Sequence, residues 1–221
     1  MADTPKSFFL SPEIHAYLVE HSQPPDEVQR WLIEETKNKV GDFSMMQISP
    51  EQGAFMTLVT RLVGTRRAVE VGTFTGYSGL CIARGLSDGG RLVCCDVSEE
   101  WTAIAREAWK RAGVADRIEL RIAPAIETLH ALPTDEPLDL AFIDADKTGY
   151  AAYYEEILER LRPNGLIMVD NTLWMGSVVD ESRTDDDTLA IRAFNDMVAA
   201  DDRVDTAMVP IGDGVTLIRK R

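Results

Sequence analysis

Basic charge is scarce in this chain. Its 221 residues carry 23 Lys and Arg against 37 Asp and Glu, a formal net charge of -14. Nucleic-acid binding rests mainly on neutralising phosphates with Lys and Arg, so no nucleic-acid partner is expected. An anionic membrane surface is disfavoured for the same reason. Long apolar runs are lacking too, and none approaches the ~20 residues of a membrane span. The start, "MADTPKSFFLSPEIHAYL", has one Lys and then three apolar residues, too few for a secretory signal. These absences lead us to expect a cytoplasmic protein with no membrane partner.

Cysteine is rare. Cys81, Cys94 and Cys95 show neither zinc spacing nor a disulfide framework and read as small core residues of a reducing compartment. The three histidines, His15, His21 and His130, fall in helical segments, which argues against a zinc centre. Two glycine signatures are also missing. The chain has no Gly-Lys-Ser/Thr phosphate loop, and in "EVGTFTGYS" Phe74 stands where a dinucleotide fingerprint has its second glycine.

What is there is an ordinary globular composition, 45% hydrophobic and 27% charged. The length suits one domain, 1–221, with a helical N-terminal part (1–64) and an α/β core (65–221). "SPEIHAYLVEHS" offers Ser11 as N-cap, Pro12 at the first helical position and Ile14, Tyr17 and Leu18 on one face. "PPDEVQRWLIEETKNKVG" and "SPEQGAFMTLVTRLVG" follow as helices that close at Gly41 and Gly64.

From Arg67 strands alternate with helices. "RAVEVG", "RLVCCDV", "IELRIA", "LDLAFIDA" and "LIMVDN" read as strands. Between and after them "SGLCIARGL", "SEEWTAIAREAWKRAG", "AIETLHAL", "YAAYYEEILERLRPNG" and "TLAIRAFNDMVAAD" read as helices, with "DESRTDDDT" a solvated loop. "DTAMVPI" and "GVTLIRKR" around "IGDG" predict a closing hairpin. This alternation predicts a mostly parallel sheet with helices on both faces and one antiparallel strand.

Ligands of such sheets bind beyond the carboxyl ends of the strands. Every strand of the parallel core delivers polar or glycine-rich chemistry there. Glu70 and "GTFTG" come from the first, Asp96 from the second and "APA" from the third. Asp144, Asp146 and Lys147 come from the fourth, Asp170 and Asn171 from the fifth. Asp96 suits a ribose or caps the next helix. Asp144, Asp170 and Asn171 are hard oxygen donors suited to Mg²⁺, although Asp170-Asn171 also reads as a turn. Lys147 either pairs with Asp146 in solvent or takes a proton from a substrate hydroxyl.

Taken together, "EVGTFTGYS", Asp96, "FIDADKTGY" and "DNTLWMGSVV" resemble the class I S-adenosylmethionine-dependent, metal-dependent O-methyltransferases. The nearest likeness is to the caffeoyl-coenzyme A O-methyltransferase-like branch, with catechol O-methyltransferase more distant. It runs from about Met46 to the C-terminus. The resemblance implies a Rossmann-like, seven-stranded methyltransferase fold and a homodimer. It places Met46, Glu70, Gly72, Tyr77, Ser78, Asp96, Ala125 and Asp144 at the cofactor. Asp144, Asp170 and Asn171 become ligands of Mg²⁺ or another divalent ion such as Mn²⁺ or Ca²⁺. Lys147 becomes the general base and Trp174 a wall for an aromatic substrate. Ala123 departs from the family's glycine before "PA".

The expected reaction is methyl transfer to one hydroxyl of a vicinal diphenol, a small phenolic substrate. A chain at -14 attracts a polyphosphorylated acyl-coenzyme A poorly. Two other readings share the fold: an NAD-dependent oxidoreductase, which the missing glycine disfavours, and a non-catalytic binding protein, which predicts a broken metal set.

Overall fold

A computed structural model describes residues 11–221; the reading of the first ten residues lies outside the described part. Three helices lead, α1 (Pro12–Glu20), α2 (Glu27–Val40) and α3 (Pro50–Val63). Ser11 caps α1 through its side chain, Asp26 forms a capping box with Gln29 on α2, and left-handed Gly64 ends α3. The core then alternates β1 (Arg67–Val71), α4 (Tyr77–Gly85), β2 (Arg91–Asp96), α5 (Glu99–Arg111), β3 (Ile118–Ile122) and α6 (Ala125–Ala131). It continues with β4 (Leu138–Ile143), α7 (Tyr150–Arg160), β5 (Leu161–Val169), α8 (Asp186–Ala200), β6 (Val204–Val209) and β7 (Val215–Lys220).

The seven strands form one sheet in the order β3-β2-β1-β4-β5-β7-β6. β7 pairs antiparallel with both β5 and β6, while the other pairs are parallel. The predicted mostly parallel sheet with one reversed strand is therefore present. Among the described residues no helix is long and apolar enough to cross a membrane.

Strand alternation sorts the core into two layers. Val69, Val71, Cys95, Ala141, Ile143, Ile167 and Val169 face α6, α7 and α8. Ala68, Cys94, Leu140, Phe142 and Met168 face the opposite layer, built from α2 to α5. Adjacent Cys94 and Cys95 thus point to opposite faces. All three cysteines are free and buried, and burial pushes the thiols of Cys81 and Cys95 up to about 12. They are core packing, as their lack of ligand spacing predicts.

Three expectations change. The helix read to Gly165 stops at Arg160, because Pro163 cannot continue it and Leu161 pairs with Leu138 to open β5 five residues early. The acidic stretch is not all loop. Asp185 caps α8 by accepting from the Thr188 backbone N–H, and Asp186 and Asp187 sit in its first turn, where the helix dipole favours negative charge. The apolar face of α1 covers no core, for Ile14, Tyr17 and Leu18 are all exposed.

Phe142 is fully buried in the middle of the sheet beside Glu70. Phe142→Ala should cost about 3–5 kcal/mol, as for other large-to-small core changes, read as a lower urea midpoint at unchanged slope.

Candidate active site at the strand ends

The backbone ladder runs one residue past several strands. Gly72 N–H donates to Cys95 O at 3.0 Å, Asp144 N–H to Val71 O at 2.8 Å, Asp170 N–H to Ile143 O at 3.0 Å and Ala123 N–H to Asp96 O at 3.0 Å. The residues singled out from sequence are thereby lined up along one edge, on both sides of the switch point between β1 and β4.

Gly72 lies at that switch point with φ +89°, and a Cβ there would meet the Asp144 carbonyl oxygen at 1.9 Å. Glycine is required for β1 and β4 to leave the sheet this close together. The loop beyond it is held by Asp96, which accepts from Thr73 N–H (3.0 Å) and Phe74 N–H (2.8 Å) with one oxygen and from Ser98 N–H (2.7 Å) with the other. Asp96 is thus both a loop organiser and a helix-entry acceptor. Four lone-pair sites on a carboxylate leave room for a hydroxyl donor. Next to it the apolar Val97 and Ile122 are exposed, and the half-buried Ala125 opens α6. Phe74 stacks edge-on against Trp101 at 5.1 Å, and Phe43 lies 5.9 Å from the same ring.

Glu70 does not lie among the exposed strand-end groups. Strand alternation turns it into the α4 layer, where it is fully buried. One oxygen accepts from the Thr73 hydroxyl at 3.1 Å and the other has no partner. Burial pushes its carboxyl up to about 7, with the neighbouring Ser78, Cys94 and Thr73 side chains acting in the opposite direction. Ser78 is buried beside it in the first turn of α4. Tyr77 also points away from the strand ends: its ring packs on Gly53 of α3, and its hydroxyl is buried without a partner. Met46, half exposed, ends the 3-10 segment Gly41–Met46. The following Gln47 ties that segment to the glycine loop through the Thr75 hydroxyl, 3.0 Å away.

The charged cluster centres on Lys147, which is 8% exposed. Its Nζ donates to Asp144 Oδ1 (3.0 Å), Asn171 Oδ1 (2.7 Å) and Tyr150 Oη (2.7 Å), and it lies 5.5 Å from the centre of the Trp174 ring. Asp170 accepts from Asn171 N–H with one oxygen (2.7 Å) and from Gln52 Nε2 with the other (2.6 Å). Burial, and then the charge of Asp144, raise the Asp170 carboxyl well above the ordinary carboxylate range. Asp146 does not join this cluster: it is exposed and accepts from Tyr153 Oη at 2.6 Å, so the surface pairing of Lys147 with Asp146 is replaced by the inner set.

Two residues of this set had no role in the sequence reading. Tyr150 is fully buried, donates to the Asp170 carbonyl at 3.2 Å and accepts from Lys147. Burial and the charge of Asp144 hold its phenol well above the usual range, which keeps its proton available to donate. Gln52 lies on one face of α3 with Met56 and Thr60, all buried. An amide on the buried stripe of a helix is the signal that could have found it, because a buried polar group needs a partner.

The donor set fits a hard divalent ion. It consists of two carboxylates and an amide oxygen, two of whose atoms already converge on one cation, the Lys147 ammonium. Among the described residues no three His, Cys, Asp or Glu side chains come together as a metal-holding group. A separate groove between α1 and α3, lined by Leu18, Leu58 and Ile211, does not reach these residues.

Glu70 also gives a measurable pH signature. Its folded value, about 7, stands above the ordinary 4.5, so the folded state holds an extra proton between those values and stability from this group falls as pH rises through them. Glu70→Gln should therefore gain melting temperature relative to the parent as pH goes from about 5 to 8. A constant difference across that range would contradict the burial argument.

Comparison with known proteins identifies relatives over nearly the whole chain. Residues 19–221 fit the family model described as O-methyltransferase. A probable caffeoyl-CoA O-methyltransferase of Dictyostelium discoideum is 40% identical over 92% of this chain and 90% of its own length. A caffeoyl-CoA O-methyltransferase of Zea mays is 34% identical over 97% of this chain and 85% of its own. The O-methyltransferase from Bacillus cereus, solved in complex with SAH, superposes with a TM-score of 0.86 at 32% identity, covering 95% of this chain and 97% of that one. The SAH-bound methyltransferase of Podospora anserina gives 0.88 at 30% identity, covering 99% and 100%. By sequence and by fold, the chain belongs to the O-methyltransferase family.

Proposed function

We propose that this protein transfers a methyl group from S-adenosylmethionine to one hydroxyl of a vicinal diphenol, with a divalent cation held by Asp144, Asp170 and Asn171 and with Lys147 as base. The observation that carries the reading is the convergence of Asp144 Oδ1 and Asn171 Oδ1 on Lys147 Nζ beside the Trp174 ring. S-adenosylmethionine supplies an electrophilic methyl group, and a divalent cation supplies Lewis acidity that lowers the pKa of a coordinated hydroxyl.

The chain's residues supply the rest. Asp96 accepts hydroxyl donors of the cofactor at the end of β2, while Val97, Ile122 and Ala125 offer apolar surface beside it. Glu70 acts from beneath by fixing Thr73, and Gly72 lets the loop close on Asp144. Trp174 offers a flat apolar face to the diphenol ring. Lys147, once it has released one of its own protons to solvent, receives the hydroxyl proton at Nζ, a role worth ~10²–10⁴-fold in rate. Holding both reactants in line can supply as much as ~7–11 kcal/mol more. The net charge of -14 favours a small diphenol over a coenzyme A ester.

The test is methyl transfer to a panel of free catechol, caffeate and caffeoyl-coenzyme A, with Mg²⁺ and with EDTA. Turnover should vanish in EDTA. Lys147→Ala should lower kcat by ~10²–10⁴-fold with S-adenosylhomocysteine affinity unchanged. Activity indifferent to the chelator rejects the cation, and an inert panel rejects the diphenol.

We also propose a homodimer. Leu58 and Leu62 of α3 and Tyr17 of α1 are exposed apolar side chains on helices that touch one another. Sedimentation should show a dimer that Leu58→Glu with Leu62→Glu converts to monomer; a monomeric parent protein refutes the assignment.

A further inference from the structure

An ammonium has three N–H donors and no acceptor. All three donors of Lys147 are used, on Asp144 Oδ1, Asn171 Oδ1 and Tyr150 Oη, at 2.7–3.0 Å. Two of those acceptors belong to the set assigned to the cation. The third does not: Tyr150 is a neutral hydroxyl, anchored by its own bond to the Asp170 carbonyl and by an edge-on contact with Phe194 at 5.6 Å. The arrangement therefore has two kinds of partner for one nitrogen, oxygens a hard cation would take and one it would leave.

We propose that Lys147 is the stand-in for the divalent cation: without the cation its ammonium bridges Asp144 and Asn171, and with the cation held it yields both oxygens and stays tethered through Tyr150. The inference rests on the cation reading above and adds a role that a simple base would not have. In the bridging arrangement Lys147 offsets the mutual repulsion of Asp144 and Asp170, which are next to one another on neighbouring strand ends. All three of its N–H groups are then engaged. Yielding two partners leaves two N–H groups without acceptors, and Nζ can take a substrate proton only after giving one of these to solvent, while the Tyr150 bond keeps the nitrogen beside the Trp174 ring. Tyr150 is a positioning residue in this scheme.

The sign of the effect separates this role from that of a residue that helps to build the cation site. A positive charge seated on the same two oxygens opposes a divalent ion, so its removal should strengthen cation binding. The experiment is calorimetric titration of the purified full chain with Mg²⁺ and with Mn²⁺, in the absence of cofactor and diphenol. Lys147→Met and the uncharged, polar Lys147→Gln are compared with the parent, so that misfolding of one leaves the other. Both should bind about tenfold tighter or better. Both should also melt at a lower temperature than the parent in EDTA and recover when Mg²⁺ is added. Cation binding by the parent with equal or weaker binding by the variants overturns the stand-in role and leaves the cation reading intact. No binding by the parent removes both. Variants that stay unfolded even in Mg²⁺ also count against it, since the cation should replace the lost ammonium.

Discussion

The hydrogen-bond ladder of the parallel strands continues past their ends, and the chemistry depends on that continuation. Asp144 and Asp170 are each bonded through the backbone N–H to the last residue of the neighbouring strand. Their side chains therefore start from positions fixed by the sheet, not from free loops. A site rooted in regular structure holds its geometry more closely than one carried on loops alone. Gly72 completes the frame: only a residue without Cβ fits against the Asp144 carbonyl where β1 and β4 diverge.

This frame gathers groups that are unfavourable on their own. Asp170 and Glu70 are buried carboxyls, and burying such groups destabilises a fold unless they are bonded or neutralised. The structure answers each differently. Asp170 has Gln52 and the Asn171 backbone, while Asp144 has the Lys147 ammonium. Glu70 keeps one oxygen without a partner and responds by holding its proton more tightly. Both core layers of the sheet stand behind these groups and offset them by apolar burial.

Much of this was legible in the sequence because two physical codes are local. Apolar runs bounded by Gly, Pro and capping residues marked nearly every helix and strand. Strand-end placement followed from the alternation of β and α, so Asp96, Asp144, Asp170 and Asn171 were all read to the correct edge. What failed depended on long-range register. Periodicity in "EEILERLRPNG" looks helical, and only the pairing of Leu161 with Leu138 turns its end into strand. Tyr77 and Glu70 lie in the loop motif, yet alternation and helix phase turn both inward, which a motif does not state. Gln52 was missed because its partner is 118 residues away; Tyr150 lies three residues from Lys147, but its anchor on the Asp170 carbonyl, 20 residues away, is set by the fold.

The reversed strand β7 then has a positional consequence. Because it runs against β5, the turn that precedes it falls at the carboxyl edge of the parallel strands, where a parallel strand would have placed its far end. That turn secures the loop after β5. Thr172 N–H donates to Gly214 O, Leu173 N–H to Asp213 O, and Met175 N–H to Asp213 Oδ1 at 2.6 Å. The loop needs such support, since Asn171, Trp174 and Met175 all have positive φ. Each non-glycine residue in that region costs about 1–2 kcal/mol and persists only when its surroundings hold it. Strain in Asn171 and Trp174 is thus balanced by an anchor from the last hairpin, on the residues that set the amide oxygen against Lys147 and the indole beside it. The C-terminal hairpin is part of the site's support, although none of its own side chains was singled out for the chemistry.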